Sequence, residues 1–348
     1  MTTYRPEKAD ELIQTAKAMV APGKGILAID ESNGTCNKRF EAHGIDPTEQ
    51  KRREYRELLL TTPDLEKYVS GAILYDETIR QSTADGKSFI DVMRDRGQVV
   101  GIKVDTGAKP LAGSDGEKVT EGLDGLRERL GEYYEMGARF AKWRAVIAID
   151  TAKGLPTRGC IEANAHALAR YAALCQEAGL VPIIEPEVLI DGEHDIATCE
   201  RVTEEELNEV FRQLYHQNVM LEGVILKTSM VISAKGASNR AGVEEVADRT
   251  VETLLRTVPA ALGGVVFLSG GQGVEESTAH LNAMHERHGD RLPWALTFSY
   301  ARAIQGPALE YWKGEPGHVE EAQKRALKRA HFNGLASQGE YSPDMESA

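Results

Sequence analysis

Eight short apolar runs punctuate the chain: Ile26-Leu27-Ala28-Ile29, Gly71-Ala72-Ile73-Leu74, Val99-Val100-Gly101-Ile102, Ala138-Arg139-Phe140-Ala141, Val181-Pro182-Ile183-Ile184, Val224-Ile225-Leu226, Val265-Val266-Phe267-Leu268 and Trp294-Ala295-Leu296-Thr297-Phe298. Runs this short and this apolar predict strands buried on both faces. Separated by helix-length segments, they form the pattern of a parallel sheet covered by helices. Apolar residues recurring every three or four positions predict helices over 124–136, 161–177, 204–216, 243–257 and 319–330. Two longer connections, 106–122 and 150–159, are rich in Gly, Pro, Thr and charge and read as loops over an active-site face. Periodicity fades after 336, so a single domain over 1–336 followed by a mobile tail over 337–348 is expected.

Eight strand–helix units match a closed barrel, with an open doubly wound sheet as the competitor. The polar residues decide between them. Nearly every run ends in a reactive side chain: Asp30, Asp76, Lys103 with Asp105, Lys142 with Arg144, Glu185 with Glu187, Lys227, Ser269, and Ser299 with Arg302. In a (β/α)8 barrel of the TIM type such residues converge on one mouth, whereas an open sheet scatters them along an edge. The pairs spaced by two aim both members to one side of a strand. Any one carboxylate at a strand end is more often a helix cap or an ion-pair partner than a catalyst; eight in succession are harder to assign that way.

Lys227 closes the run Glu222-Gly223-Val224-Ile225-Leu226 and is expected to be a buried ammonium. A lysine there either snorkels to water or has a chemical task, because desolvation and a neighbouring cation both favour the free amine that attacks a carbonyl. Downstream, Phe267-Leu268-Ser269-Gly270-Gly271-Gln272-Gly273-Val274 passes from the seventh strand through glycines into a helix. That is a tight turn at least, and a phosphate cradle if its N–H groups face the mouth; Arg302 after the eighth strand favours the cradle.

Composition narrows the field. A hydrophobic content of 41% with 27% charge is that of a globular enzyme, and no apolar stretch is long enough for a membrane span. The first twenty residues carry Arg5, Glu7, Lys8, Asp10, Glu11 and Lys17 and do not form a signal peptide. Cys36, Cys160, Cys175 and Cys199 make no C-x-x-C pair and fit a reducing cytoplasm. The net charge of −13 opposes general binding to nucleic acid or anionic lipid, so attraction for an anionic substrate has to be local. His280, His285 and His288 share a predicted helix without metal-ligand spacing and read as solvated surface; no metal and no cofactor are expected. Gly23-Lys24-Gly25 lacks the rest of a P-loop, and no G-x-G-x-x-G follows a strand.

The segments G-K-G-I-L-A-I-D-E-S from Gly23, G-I-K-V-D from Gly101, F-A-K-W-R from Phe140, I-E-P-E from Ile184, E-G-V-I-L-K from Glu222, F-L-S-G-G-Q from Phe267 and L-T-F-S-Y-A-R-A from Leu296 cover almost the whole chain. In this order they closely resemble the metal-independent, Schiff-base-forming class I fructose-1,6-bisphosphate aldolases. The resemblance implies that Lys227 forms an imine with the ketone of open-chain fructose 1,6-bisphosphate, and that Glu185 exchanges protons during imine formation. It implies further that Lys142 orients oxygen atoms and depresses the amine's pKa, that Asp30 takes the carbon-4 hydroxyl proton, and that Glu187 supports the network. One phosphate goes to Ser269, Gly270 and Arg302, with Ser299 in the binding set; the other goes to Lys103, Arg144, Ser32, Thr35, Lys38 and Arg39. The partner is a phosphorylated sugar, and by family analogy the chain forms a homotetramer. A preference for sedoheptulose 1,7-bisphosphate and an idle scaffold are the alternatives. Three departures stand out: the nearest tyrosine to the end is Tyr341, Ala301 stands where many relatives have glycine, and Thr228 where they have proline. The proton donor to the enamine is unassigned.

Overall fold

The structure is a computed structural model that describes residues 5–347. Met1–Tyr4 and Ala348, which bound the expected domain and tail, lie outside the described residues. Strands β1 (Gly25–Ala28), β2 (Val69–Leu74), β3 (Val99–Lys103), β6 (Phe140–Ile147), β7 (Val181–Val188), β8 (Ile225–Thr228), β9 (Gly264–Phe267) and β10 (Leu296–Tyr300) close into one parallel barrel. They follow one another around it in chain order, with β1 beside β10. The two strands left out, β4 (Gly107–Pro110) and β5 (Lys118–Glu121), pair antiparallel as a hairpin where a loop over 106–122 is expected. The low apolar content that suggests a loop reflects the position of this hairpin on the rim, outside the barrel core.

Five strands outrun their apolar runs: β3 by Lys103, β10 by Ser299 and Tyr300, and three others. β6 continues through Lys142, Trp143 and Arg144, β7 through Glu185, Pro186 and Glu187, and β8 includes Lys227. Charged residues read as strand ends because a buried strand is expected to be apolar; here alternate side chains enter the mouth while the backbone stays in the ladder. Asp76 does not join them. It opens the short helix Asp76–Ile79 on the outer side and binds Arg80 at 2.9 Å and the Tyr133 hydroxyl at 2.9 Å.

Helices begin where polar caps meet unpaired N–H groups. The Thr157 hydroxyl accepts from the Cys160 N–H at the start of Arg158–Ala178, and Asp195 accepts from the Thr198 N–H at the start of Ile196–His216. The second helix therefore begins eight residues before the expected 204. The helix Val243–Thr257 has the expected bounds.

The amino end of the barrel is plugged. Leu12, Ala16 and Met19 of the helix Ala9–Met19 are fully buried and pack with Val20, Ile26, Ile73, Phe140, Val181, Ile183, Ile225 and Val266 in one apolar layer. Gly101, paired with Phe140 across β3 and β6, is required by this floor: a methyl group there would lie 2.1 Å from the Phe140 ring. The segment after 336 packs against the body. Tyr341 is buried, its N–H donates to Asn282 Oδ1 at 2.9 Å, and Arg329 pairs with Glu346. Its anchors, these polar contacts and the packing of Tyr341 on Phe332, are isolated residues that leave no periodic signature.

Gly101→Ala is expected to destabilise the protein by about 1–3 kcal/mol through overpacking of the floor. Thermal unfolding of the two proteins checks this; an unchanged midpoint would show that Phe140 yields freely.

Candidate active site

The open end of the barrel is a cavity lined by Asp30, Lys103, Asp105, Lys142, Arg144, Glu185, Glu187, Lys227, Ser269, Gly270, Ser299 and Arg302. Parallel pairing sets their levels: Lys103 lies opposite Lys142, and Arg144 opposite Glu185. Four of these side chains form one line of alternating charge. Lys227 Nζ is 3.2 Å from Glu185 Oε1, Glu185 Oε2 is 3.2 Å from Lys142 Nζ, and Lys142 Nζ is 2.6 Å from Asp30 Oδ2. All four residues are less than a tenth exposed.

Unpaired, each of these ions would cost several kcal/mol to bury. Burial pushes the Asp30 carboxyl up, but Lys142 and Lys227 outweigh it and hold Asp30 down at about 2. Burial likewise opposes ionised Glu185, and the cations Lys142, Lys227 and Arg144 still lower it. On Lys142, burial favours the neutral amine, yet Asp30, Glu185 and Asp105 raise it well above the ordinary lysine range. Lys142 is thus a fixed cation between two ionised carboxylates. Glu187 lies one step further along β7 and takes the Arg144 Nε–H.

Two groups flank this line. On one side Ser269 enters the turn in which Gly270 and Gly271 adopt φ of 35° and 86°, conformations that side chains disfavour. Arg302 opens the helix Arg302–Trp312, and the buried Ser299 hydroxyl on β10 has no partner. Ser32, Thr35 and Arg39 also line the cavity, carried by the helix Asn33–Ala42, with Ser32 Oγ capping the Thr35 N–H. Lys38, by contrast, is exposed and outside the lining. On the other side are Lys103 and Arg144.

Residues without an assigned role complete the picture. Glu31 pairs with Arg39 and, at 3.2 Å, with the fully buried Arg56, while Gln305 Nε2 donates to Glu31 at 2.5 Å. Glu31 stands inside the A-I-D-E-S segment, the one signal that could have singled it out; Gln305 has none. Asp105 pairs with Lys103 at 2.7 Å. The three histidines are not solvated surface. His280 is buried, bonds Gln272 Oε1 at 2.7 Å, and is lowered by burial to about 4; His285 bonds the Leu296 carbonyl at 2.7 Å and the buried His288 bonds Asp248 at 2.7 Å. The helix Val274–His288 is covered on more of its circumference than its polar sequence suggests. Among the described residues no group of three or more His, Cys, Asp or Glu side chains is placed to hold a metal ion.

A closed parallel barrel with a buried lysine–carboxylate line at the carboxyl ends of its strands defines the class: a (β/α)8-barrel enzyme with its chemistry in the mouth. The family model for fructose-bisphosphate aldolase class-I matches residues 11–348, and the chain belongs to that family. It is 62% identical over 333 residues to the probable fructose-bisphosphate aldolase class 1 of Xanthomonas campestris pv. campestris, covering 95% of this chain and 98% of that one. It is 53% identical over 335 residues to the fructose-bisphosphate aldolase of Dictyostelium discoideum, covering 96% and 93%. Among solved structures, the aldolase of Plasmodium falciparum, determined in complex with TRAP and a small-molecule inhibitor, superposes with a TM-score of 0.95 at 47% identity and covers 97% of each chain. The activity is that of a class I fructose-bisphosphate aldolase, a lyase that reversibly cleaves fructose 1,6-bisphosphate to dihydroxyacetone phosphate and glyceraldehyde 3-phosphate through a lysine Schiff base. These relatives give no support to the sedoheptulose-preferring or idle-scaffold alternatives.

Behind β7, Glu206 on the helix Ile196–His216 is buried with Oε1 unpartnered, and burial, aided by Glu187, raises its carboxyl to about 8. Between the ordinary carboxyl value of 4.5 and about 8 the folded protein keeps a proton that the unfolded chain has released, so stability falls as pH rises through that window. Glu206→Gln is expected to raise the unfolding midpoint at pH 7.5 and to flatten its dependence between pH 5 and 8. Parallel curves for the two proteins would refute the buried neutral carboxyl.

Proposed function

We propose that Lys227 is the Schiff-base lysine, with Glu185, Lys142, Asp30 and Glu187 as its catalytic partners. The observation that carries this is the line Lys227–Glu185–Lys142–Asp30, with successive contacts of 3.2, 3.2 and 2.6 Å. Glu185 takes a proton from Lys227, a reading the 3.2 Å contact between them supports, after which the amine attacks the substrate ketone. The resulting carbinolamine loses its hydroxyl as water, with the proton returned by Glu185, and leaves a protonated imine. Asp30 then accepts the proton of the carbon-4 hydroxyl as the bond between carbons 3 and 4 breaks. The aldehyde forms at carbon 4, and the electron pair passes into the enamine.

A carboxylate held near 2 is a weak base, so transfer to Asp30 is favourable only in concert with the bond breaking that consumes the alkoxide. Lys142 stays protonated through this sequence and offers its charge to the developing oxygen anion. Protonation of the enamine at carbon 3 and hydrolysis of the imine complete the turnover. Glu187, paired with Arg144, supports that guanidinium.

The two phosphates are assigned to two sets of cavity residues. One goes to Ser269, Gly270, Ser299 and Arg302. The other goes to Lys103 and Arg144, with Ser32, Thr35 and Arg39 from the helix Asn33–Ala42 and its cap. Glycolysis follows from the family; gluconeogenesis uses the same reaction in reverse. A cytoplasmic setting is supported by four free cysteines, and among the described residues no helix is long and apolar enough to cross a membrane. A homotetramer is adopted by family analogy, and light scattering of the full chain reads it.

Incubation with dihydroxyacetone phosphate and borohydride is expected to fix one adduct on the peptide carrying Lys227, as read by intact mass and peptide mapping. Lys227→Ala should lose both adduct and cleavage, while a chelator should leave turnover unchanged. An adduct on another lysine would overturn the assignment.

A further inference from the structure

β3 ends at Lys103, but its neighbour β6 runs on to Ile147, and the ladder between them stops once the Val104 N–H has reached the Lys142 carbonyl. From Arg144 onward, that edge of β6 has no barrel strand beside it. The hairpin β4–β5 supplies its partners. Asp105 Oδ2 accepts from the Arg144 N–H at 3.3 Å, and the Thr120 hydroxyl donates to the Arg144 carbonyl at 2.7 Å. Asp105 Oδ1 meanwhile takes the Gly107 N–H at 3.1 Å and pairs with the Lys103 ammonium at 2.7 Å, and that ammonium also donates to the Asp105 carbonyl at 2.8 Å. Both polar backbone atoms of Arg144 and the head of Lys103 are therefore set by the hairpin and the turn that enters it.

The hairpin is itself fastened. Asn164 on the helix Arg158–Ala178 accepts from the Thr120 N–H at 3.2 Å and donates to the Lys118 carbonyl at 2.9 Å. Buried Glu117 accepts from the Thr157 N–H at 2.6 Å and from its hydroxyl at 2.7 Å. Thr120 does not line the cavity, whereas Arg144 does. The side chain of Arg144 is 42% exposed and reaches outward, so the backbone contacts, with Glu187 at Nε, decide where its guanidinium points.

We propose that this hairpin sets the preference for a bisphosphorylated over a monophosphorylated sugar, with Asp105 and Thr120 as positioning residues that hold Lys103 and Arg144 as one clamp on the second phosphate. This rests on the assignment of Lys103 and Arg144 to that phosphate. Fructose 1-phosphate, which lacks it, is the internal control.

The measurement is kcat/KM for fructose 1,6-bisphosphate divided by kcat/KM for fructose 1-phosphate. Thr120→Val, nearly isosteric, removes one hydrogen bond and is expected to lower this ratio about fivefold, chiefly through KM for the bisphosphate. Thr120→Ser should restore it, and Asp105→Asn should lower it about tenfold or more. Equal losses on both substrates, or an unchanged ratio with Thr120→Val, would overturn the inference even if Asp105→Asn folds poorly. Arg144→Met separates the two levels: an unchanged ratio there refutes the phosphate assignment itself. A lowered ratio there, with silence in the Thr120 and Asp105 variants, refutes only the role of the hairpin.

Discussion

Four charges buried in one line are tolerable only if each has an opposite neighbour, and this constraint organises the mouth of the barrel. Lys142 is the member that cannot be moved. Its ammonium meets Asp30 just past the end of β1 and Glu185 on β7, and Glu185 in turn meets Lys227 on β8. Shifting any of these strands by one residue would turn its charge out of the lumen and strand the rest. The chemistry and the register of the sheet are therefore specified by the same contacts. The line sums to zero, so an acidic protein can keep a cationic amine at its centre without a compensating ion.

Around this line the structure separates tasks by layer. The apolar floor of Leu12, Ala16, Met19, Ile26, Phe140 and Ile183 carries the packing. Above it lie the four charges, and level with or above those the groups proposed to hold phosphate, on β3 and β6, a loop and helix starts. Precision increases toward the centre: Lys142 and Lys227 sit within strands, whereas Arg39 and Arg302 sit on helices at the rim. The rim groups are also pre-engaged. Arg39 is held by Glu31, whose carboxylate keeps Arg56 and Gln305 as further partners, so the cluster retains a counter-ion if Arg39 turns toward a phosphate.

The barrel was legible because its strands are apolar on both faces and its reactive residues sit at their carboxyl ends, where one-dimensional spacing maps directly onto depth in the lumen. Lys227 could be singled out for the same reason. What escaped depended on contacts between segments distant in sequence. The partners of Arg144 on its open edge are Asp105 and Thr120, 39 and 24 residues away, and nothing in the composition of 106–122 distinguishes a hairpin from a loop. His280, His285 and His288 read as surface because polar residues are mostly exposed, although each ring has a partner. The packed tail turns on Tyr341 and Glu346, isolated residues with no period to reveal them.

The plugged floor governs traffic. With Leu12, Ala16 and Met19 filling the amino end, the lumen opens, among the described residues, at its carboxyl end, and what enters or leaves there passes the rim cations. With Lys227 as the proposed Schiff-base lysine, the three-carbon fragment is moored at the inner end of that passage, while the aldehyde fragment is free once the carbon–carbon bond is cut. Departure is therefore queued, with the unmoored piece first and the tethered piece only after its imine is hydrolysed by water arriving through the space just vacated. In synthesis the queue runs backward, and the aldehyde must come in behind a partner that already occupies the depth of the barrel.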